Sequence, residues 1–254
     1  MHEFHQLKDL ESIDPGLFRL IQLEEERQAR RLIMIPSESA APLAVRELLG
    51  SSFTNIYAEG YPRPETLGFT EDEILDYTNS LGTYRRYSDP RYYKGVEYVD
   101  IVEALARCRC AEAFAANGVT ADQLFANVQP LSGAPANNAV YTAFLNPGDT
   151  ILGMSLLVGG HLSHGSSVNR SGLFYNAQHY NIDPKTELLD YDAILAKAQE
   201  VQPKIIVAGY SSYPWVPDWK IFREIADSVG ALLLTDVSHI AGLIAAGQIS
   251  SPVG

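Results

Sequence analysis

The sequence is poor in cysteine and lacks long apolar runs. Only Cys108 and Cys110 occur in 254 residues. They lie two apart in a segment with a helical pattern, so their side chains diverge and cannot pair. This usage predicts a reducing, cytoplasmic location. No run approaches the roughly 18 to 20 apolar residues of a membrane span, and the acidic start MHEFHQLKDLESIDPG is unlike a signal peptide, so we expect no membrane association.

Basic residues are also scarce. The chain has 19 Lys and Arg against 31 Asp and Glu, a formal net charge of -12. Without a basic stripe to displace counterions, nucleic acid is excluded as an expected partner. A hydrophobic content of 46% and a charged content of 20% are typical of a globular protein. The length suits one large α/β domain or two small ones.

Apolar runs alternate with helical patterns from Phe125 onward. Five strands are predicted, at ANVQP (126–130), DTILGM (149–154), LFYNAQHY (173–180), KIIVAGY (204–210) and ALLLTDVS (231–238). Helices are predicted at DYDAILAKAQEVQ and DWKIFREIADSVG, the second with Gly230 as its C-cap. The alternation indicates an α/β fold with a mainly parallel sheet flanked by helices. Ligands of such sheets collect at the carboxyl ends of the strands.

The first half of the chain has a different pattern. Helices are predicted over 16–31 and from about Lys94. Residues 63–90 form a polar excursion that is expected to hold a surface helix, with Thr70 and Glu73 as a capping box and Asp89-Pro90 as its end. We expect a helical arm and interface segment at 1–124 and a ligand-binding domain at 125–254.

Two short segments could bind a ligand. The stretch SGAPAN follows a strand and opens a helix, so the amides near Ser132, Gly133 and Ala134 could form an anion cup; an ordinary helix start is equally compatible. In GGHLSHG, His161 and His164 could suggest a metal pair, but a third ligand at a suitable spacing is missing. Ring stacking or a structural role is favoured, and we expect no metal.

Further candidates carry carboxylates and phenols. Asp236 comes after a run of four apolar residues, so its carboxylate is expected to be shielded from water and to need a cationic or hydrogen-bonding partner. Judged from this segment alone, a role as the cap of the next segment is favoured over a role in ligand binding. His239 could reach the same ligand. Tyrosines surround Glu59 in TNIYAEGYP and recur in RYYKG, so Glu59 could be a partly dry general acid or base, although the tyrosines could simply pack.

Eight motifs in order resemble the serine hydroxymethyltransferase family of pyridoxal phosphate (PLP) enzymes. They are IPSES, TNIYAEGYP, RYYKGVEYVD, NVQPLSGAPAN, GDTILGM, GGHLSHGSSVN, GYSSYP and TDVSHIAGLIAAG. The resemblance implies the aspartate aminotransferase fold type, and a reaction that interconverts serine plus tetrahydrofolate with glycine plus 5,10-methylenetetrahydrofolate. It also implies a homodimer or dimer of dimers that shares its active sites.

The resemblance assigns residues to three roles. Cofactor-binding positions are Ser132, Gly133, Ala134, His161, Ser211, Asp236 and His239. Catalytic positions are Tyr57, Glu59, Tyr93, His161, Asp236 and His239. Substrate positions are Ser37, Glu59, Tyr92, Tyr93, Leu156 and Leu162. Asp236 is expected to keep the PLP ring nitrogen protonated.

Two features depart from the family pattern. Residues 63–90 interrupt the usually continuous YAEGYP to RYY motif, and no lysine follows Lys220 to carry the cofactor. The chain is therefore expected to be the N-terminal part of such an enzyme, inactive alone, with ANVQP left without a neighbouring strand and its apolar edges promoting aggregation. The alternatives are a non-catalytic subunit that pairs with a full-length partner, and another PLP enzyme of this fold type such as a threonine aldolase.

Overall fold

The computed structural model describes residues 9–35, 37–87 and 91–254, which fall into two compact units, Met1–Ser39 and Ala40–Gly254. The expected division at 124/125 stays a prediction. In the first unit, the predicted 16–31 helix is confirmed as α2 (Pro15–Ala29), preceded by the short helix α1 (Leu10–Ile13). Asp14 caps α2 by accepting a hydrogen bond from the amide of Leu17.

A parallel four-stranded sheet organises the second unit. Its strands are β1 (Thr150–Met154), β2 (Asn176–Tyr180), β3 (Ile205–Gly209) and β4 (Leu232–Asp236). The strand order is β2-β1-β3-β4, and every neighbouring pair is parallel. The predicted α/β class and four of the five strands are confirmed.

Helices cover both faces of this sheet. The helices of the second unit are α3 (Leu43–Leu49), α4 (Glu71–Leu75), α5 (Tyr77–Tyr87), α6 (Glu97–Phe114), α7 (Gly133–Phe144), α8 (Arg170–Phe174), α9 (Tyr191–Val201), α10 (Trp219–Ser228) and α11 (Ala241–Ala245). Leu152 and Ile206 face the core beneath α9 and α10, where Phe222 is fully buried. Ile151 and Val207 face the opposite core with Tyr141 of α7. Gly230 has φ 68°, which suits its place just after α10.

The prediction of a strand at ANVQP is wrong. Residues 124–130 form no regular secondary structure. No strand of the described sheet lies beside them, and a strand without a neighbour leaves its backbone groups unpaired. Side chains satisfy some of these groups instead: Arg107 donates to the carbonyl oxygen of Ala126, and the amide of Gln129 donates to the side chain of Asn127.

The insertion at 63–90 packs on helix α6. The predicted capping box at Thr70 and Glu73 is confirmed, but the expected single helix is divided into α4 and α5 at Asp76. Ile74, which is 2% exposed, packs in a small core with Ile101 of α6. The predicted end at Asp89-Pro90 lies outside the described residues. Within the described ranges, no helix combines the length and apolarity needed to cross a membrane.

Candidate cofactor and active site

Asp236 ends β4 and lies at the carboxyl edge of the sheet, where parallel sheets bind ligands. Its neighbour in the register is Gly209, the last residue of β3. Gly209 has φ 146°, and a Cβ atom there would collide with the carbonyl oxygen of Asp236. Glycine is therefore required at the end of β3 if Asp236 is to hold this position.

Three side chains hold the Asp236 carboxylate. Oδ2 accepts a hydrogen bond from Nδ2 of Asn137 at 2.8 Å and contacts Nε2 of His164 at 2.8 Å. Oδ1 accepts from the hydroxyl of Ser238 at 2.6 Å. Burial alone would raise the pKa of Asp236, but these hydrogen bonds and nearby His164 outweigh burial and hold the pKa well below its usual range. The side chain is 9% exposed and remains ionised.

His164 is oriented by contacts at both ring nitrogens. Its Nδ1 accepts a hydrogen bond from the backbone amide of His161 at 3.4 Å, which leaves Nε2 as the donor to Asp236. The side chain is fully buried. Both ring nitrogens of His164, which with His161 was considered as a possible metal pair, are thus engaged with protein groups.

His161 is joined to Asp236 through Asn137 and Ser163. Asn137 donates to the Ser163 hydroxyl as well as to Asp236, and that hydroxyl lies 2.7 Å from Nδ1 of His161. The amide of Ser163 also donates to this Nδ1, at 3.1 Å, so the proton of neutral His161 resides on Nε2. Burial first, and His164 second, lower the pKa of His161, while Asp236 opposes the shift.

We predict that acid weakens the fold through His161. Its pKa in the folded chain lies below the value of 6.5 of an unperturbed histidine, so the unfolded chain binds the proton more tightly. The stabilising contribution is complete above that value and is lost as the pH falls through the folded pKa. Urea unfolding at about pH 7.5 and about pH 5.5 should show a larger loss of stability for the wild type than for His161→Phe. Equal losses would contradict this prediction.

The amino end of α7 presents backbone amides at the position where an anion cup was expected. The first helical hydrogen bond runs from the amide of Ala136 to the carbonyl of Ser132, so the amides of Gly133 and Ala134 precede the ladder. The Ser132 side chain makes no capping bond. A Cβ atom on Gly133 would lie 2.6 Å from Oγ of Ser238, which places this helix end directly beside the neighbour of Asp236.

The structure also locates the other residues assigned to the cofactor and the folate. His239 lies 6.3 Å from His161 between ring centroids, and its Nδ1 is buried without a hydrogen-bond partner in the described chain. Ser211 follows β3, and its amide donates to the carbonyl of Gly159 at 2.8 Å. Leu156 and Leu162 lie in the same loop region and are 47% and 42% exposed. An orphaned imidazole nitrogen, an anion cup and an ionised carboxylate together fit a cofactor with a phosphate and a basic ring nitrogen.

The other predicted residues form a second, separate cluster. The Tyr57 and Tyr93 rings lie 5.8 Å apart, and the amide of Tyr92 donates to the carbonyl of Glu59. All four residues are exposed in the single chain. In the part of the chain that the structure describes, no hydrogen bond or ring contact joins them to Asp236 or His161. Ser37 is an exposed turn residue of the first unit, and its role stays a prediction.

Arg91 organises this second cluster and was missed by the sequence analysis. Its side chain is 1% exposed and binds Asp100 and Glu103 of α6. It also donates to the carbonyl oxygens of Ala58 and Gly60, on the far side of the insertion. One buried cation therefore ties the two ends of the insertion together. The sequence signal that could have pointed to this ion pair is the presence of two acids nine and twelve residues after Arg91.

Several residues around Asp236 were also missed as functional candidates. Asn137 stood inside the quoted SGAPAN motif, His164 was considered only as a metal ligand, and Ser163 and Ser238 were not singled out. Asp236 lies 72 residues after His164 and 99 residues after Asn137 in the chain. No local sequence pattern reveals a pairing over such distances.

Comparison with known proteins gives a consistent result. The model of the family described as serine hydroxymethyltransferase matches residues 10–88 and 84–254. A curated serine hydroxymethyltransferase from Levilactobacillus brevis is 48% identical over 241 residues, which cover 95% of this chain and 50% of that protein. The chain thus spans about half the length of this relative. It belongs to the serine hydroxymethyltransferase family.

Proposed function

We propose that the complete protein containing this chain is a PLP-dependent serine hydroxymethyltransferase. It interconverts serine plus tetrahydrofolate with glycine plus 5,10-methylenetetrahydrofolate in the cytoplasm, as part of one-carbon metabolism. The observation that carries the proposal is the ionised, nearly buried Asp236, held by three side chains beside the amino end of α7. The family membership supports the same reaction.

The cofactor site is built from the carboxyl edge of the sheet. Ser132, Gly133 and Ala134 hold the PLP phosphate with a hydroxyl and two amides. Asp236 would hold a proton on the ring nitrogen, and His161 would bind the face of the ring. Ser211 and His239 would bind the side of the cofactor that carries the phenolic oxygen. When bound, PLP supplies an electron sink for the α-carbon of the amino acid. The orphaned Nδ1 of His239 supports this placement, because a buried polar atom needs a partner.

The exposed cluster supplies the substrate residues. Glu59 moves the proton during hydroxymethyl transfer, with Tyr57 and Tyr93 beside it. Tyr92 and Ser37 bind substrate, and Leu156 and Leu162 pack on the folate ring. A carboxylate this exposed needs a covering surface to become an effective acid or base. We place Glu59 and Tyr93 in the active site of a second subunit of a homodimer, which is consistent with their separation from Asp236 in one chain.

Two other functions remain distinguishable by experiment. A threonine aldolase would cleave threonine without folate. A non-catalytic subunit would bind a full-length partner and donate Glu59 and Tyr93 to it. The motifs TNIYAEGYP and GGHLSHG favour the hydroxymethyltransferase. In the proposed hydroxymethyltransferase, residues 1–124 form the arm and interface segment and residues 125–254 the cofactor-binding domain. We assign no role to nucleic acid, membrane or metal.

The test is a chimera of this chain with the unmatched half of the Levilactobacillus brevis relative. That half supplies the remaining length of a family member, since the match covers 50% of it. We expect PLP-dependent formation of methylenetetrahydrofolate from serine and tetrahydrofolate, faster than cleavage of threonine. A folded chimera that cleaves threonine but does not use folate would support the aldolase instead. A folded, PLP-loaded chimera with neither activity would support the non-catalytic subunit.

A further inference from the structure

A cavity of about 310 Å³ lies between the insertion and helix α6. The insertion forms one wall with Leu67 and Phe69, α6 forms the floor, and residues 121–126 form the opposite wall. The cavity shares no lining residue with the Asp236 cluster. The wall residues 66–71 belong to the segment 63–90, which is expected to depart from the family pattern. Its volume is at the lower end for small-molecule sites.

Arg107 places a nearly buried positive charge in this cavity. The residue is 7% exposed, and its Nε donates to the carbonyl of Ala126 at 3.1 Å. Its guanidinium carbon lies 5.3 Å from the centre of the Phe125 ring. Across the described ranges, no carboxylate forms an ion pair with Arg107. The other buried arginine, Arg91, binds two carboxylates. A buried guanidinium usually has an anionic partner, so an anion is expected in the cavity.

Carboxylates on the same cavity exclude a simple inorganic anion. Glu112 and Asp122 both line it, and neither forms an ion pair with a cationic side chain among the residues that the structure describes. The Glu112 side chain accepts a hydrogen bond from the Cys108 thiol at 3.6 Å, and Arg109 interacts with its charge from beyond ion-pair distance. The third acid, Glu71, is already bound by Arg109 through two hydrogen bonds. Arg107 and the exposed acids Glu112 and Asp122 form no ion pair among the described residues, and one cation beside two acids matches a ligand that carries charges of both signs.

We propose that this cavity binds a free α-amino acid with an apolar side chain. Its carboxylate meets the terminal nitrogens of Arg107, and its ammonium group meets Glu112 and Asp122. Its side chain lies against the apolar wall formed by Leu67, Phe69 and Leu124. The inference does not depend on the proposed reaction, because none of these residues belongs to the cofactor or substrate set.

Isothermal titration calorimetry of the chain tests this with three matched probes. L-leucine carries both charges, 4-methylpentanoate lacks the ammonium group, and 3-methylbutylamine lacks the carboxylate. We expect L-leucine to bind and both analogues to bind at least about tenfold more weakly, since each loses one charge-assisted contact. The absence of L-leucine binding, or equal binding of all three probes, would overturn the proposal.

Variants locate the site. Arg107→Gln and Glu112→Gln should each weaken L-leucine binding by about tenfold or more, because each removes the partner of one ligand charge. Lys220→Gln, at an exposed lysine outside the cavity, should bind L-leucine as the wild type does. Glu112→Gln keeps the test decisive if loss of the Arg107 bond to Ala126 prevents folding. Unchanged binding in Glu112→Gln would place L-leucine elsewhere, the Asp236 cluster included, and would refute the site.

Discussion

Asp236→Asn is expected to lower the turnover of serine in the chimera by roughly two to three orders of magnitude, the loss typical of removing one preorganised electrostatic partner. Asparagine keeps the shape but not the charge, so it cannot hold a proton on the PLP ring nitrogen. If its one oxygen keeps the bonds from Asn137 and His164, its NH₂ group faces the amide and hydroxyl of Ser238, which donate to Oδ1 in the wild type. Measurement of kcat at saturating serine and tetrahydrofolate, with PLP in excess, checks this prediction.

Asp149→Asn is the matched control. Asp149 precedes β1 and accepts a hydrogen bond from Lys204 at 2.7 Å, at the opposite end of the same sheet. The Lys204 side chain is 53% exposed and that of Asp149 19%, so solvent screens the pair, and the variant should leave turnover within about twofold of the wild type. If the two variants lose activity equally, the loss reflects folding of the sheet, and the assigned role of Asp236 is wrong.

Arg91→Met is expected to destabilise the chain by about 3–5 kcal/mol, because it removes the partner of two carboxylates that are almost fully buried. One oxygen of Asp100 already has no hydrogen-bond partner in the described chain, so no second donor can compensate. The midpoint of thermal unfolding should fall by roughly 10 °C. The segment Ala58–Gly60 also loses two hydrogen bonds, so proteolysis near Glu59 should become faster.

Arg109→Met tests whether burial is the reason. Arg109 also binds a carboxylate through two nitrogens, Glu71 in the insertion, but its side chain is 57% exposed. Solvent screens an exposed pair, so the midpoint of thermal unfolding of this variant should stay close to that of the wild type. Comparable losses in the two variants would show that docking of the insertion, rather than the buried charge of Arg91, sets the stability.

The sequence predicted four strands of a parallel sheet because mostly apolar runs alternate with amphipathic helices, although β2 itself is largely polar. Ile151, Leu152, Ile205 and Ile206 are all fully buried, as a parallel sheet covered on both faces requires. The strand prediction at ANVQP was wrong because this segment has a strand-like pattern, whereas strand formation also requires a neighbouring strand to pair with. The local pattern does not show whether such a neighbour is present.

The site was predicted less completely than the sheet. Asp236, His161 and the α7 amino end could be recognised because each follows a strand or opens a helix. The contacts that hold them could not, because Asn137, His164 and Ser163 act through partners distant in the chain. Glu59 was recognised through the family motif, but its position depends on Arg91, whose partners lie on both sides of the insertion.

The most direct test of the central claim is nitrogen NMR of PLP labelled with ¹⁵N at its ring nitrogen, bound to this chain. The claim is that ionised Asp236 holds a proton on that nitrogen. We predict that bound PLP keeps an N–H coupling to higher pH than free PLP does, and that Asp236→Asn abolishes this difference. A bound cofactor whose ring nitrogen titrates as it does in free PLP, or one unaffected by Asp236→Asn, would contradict the account.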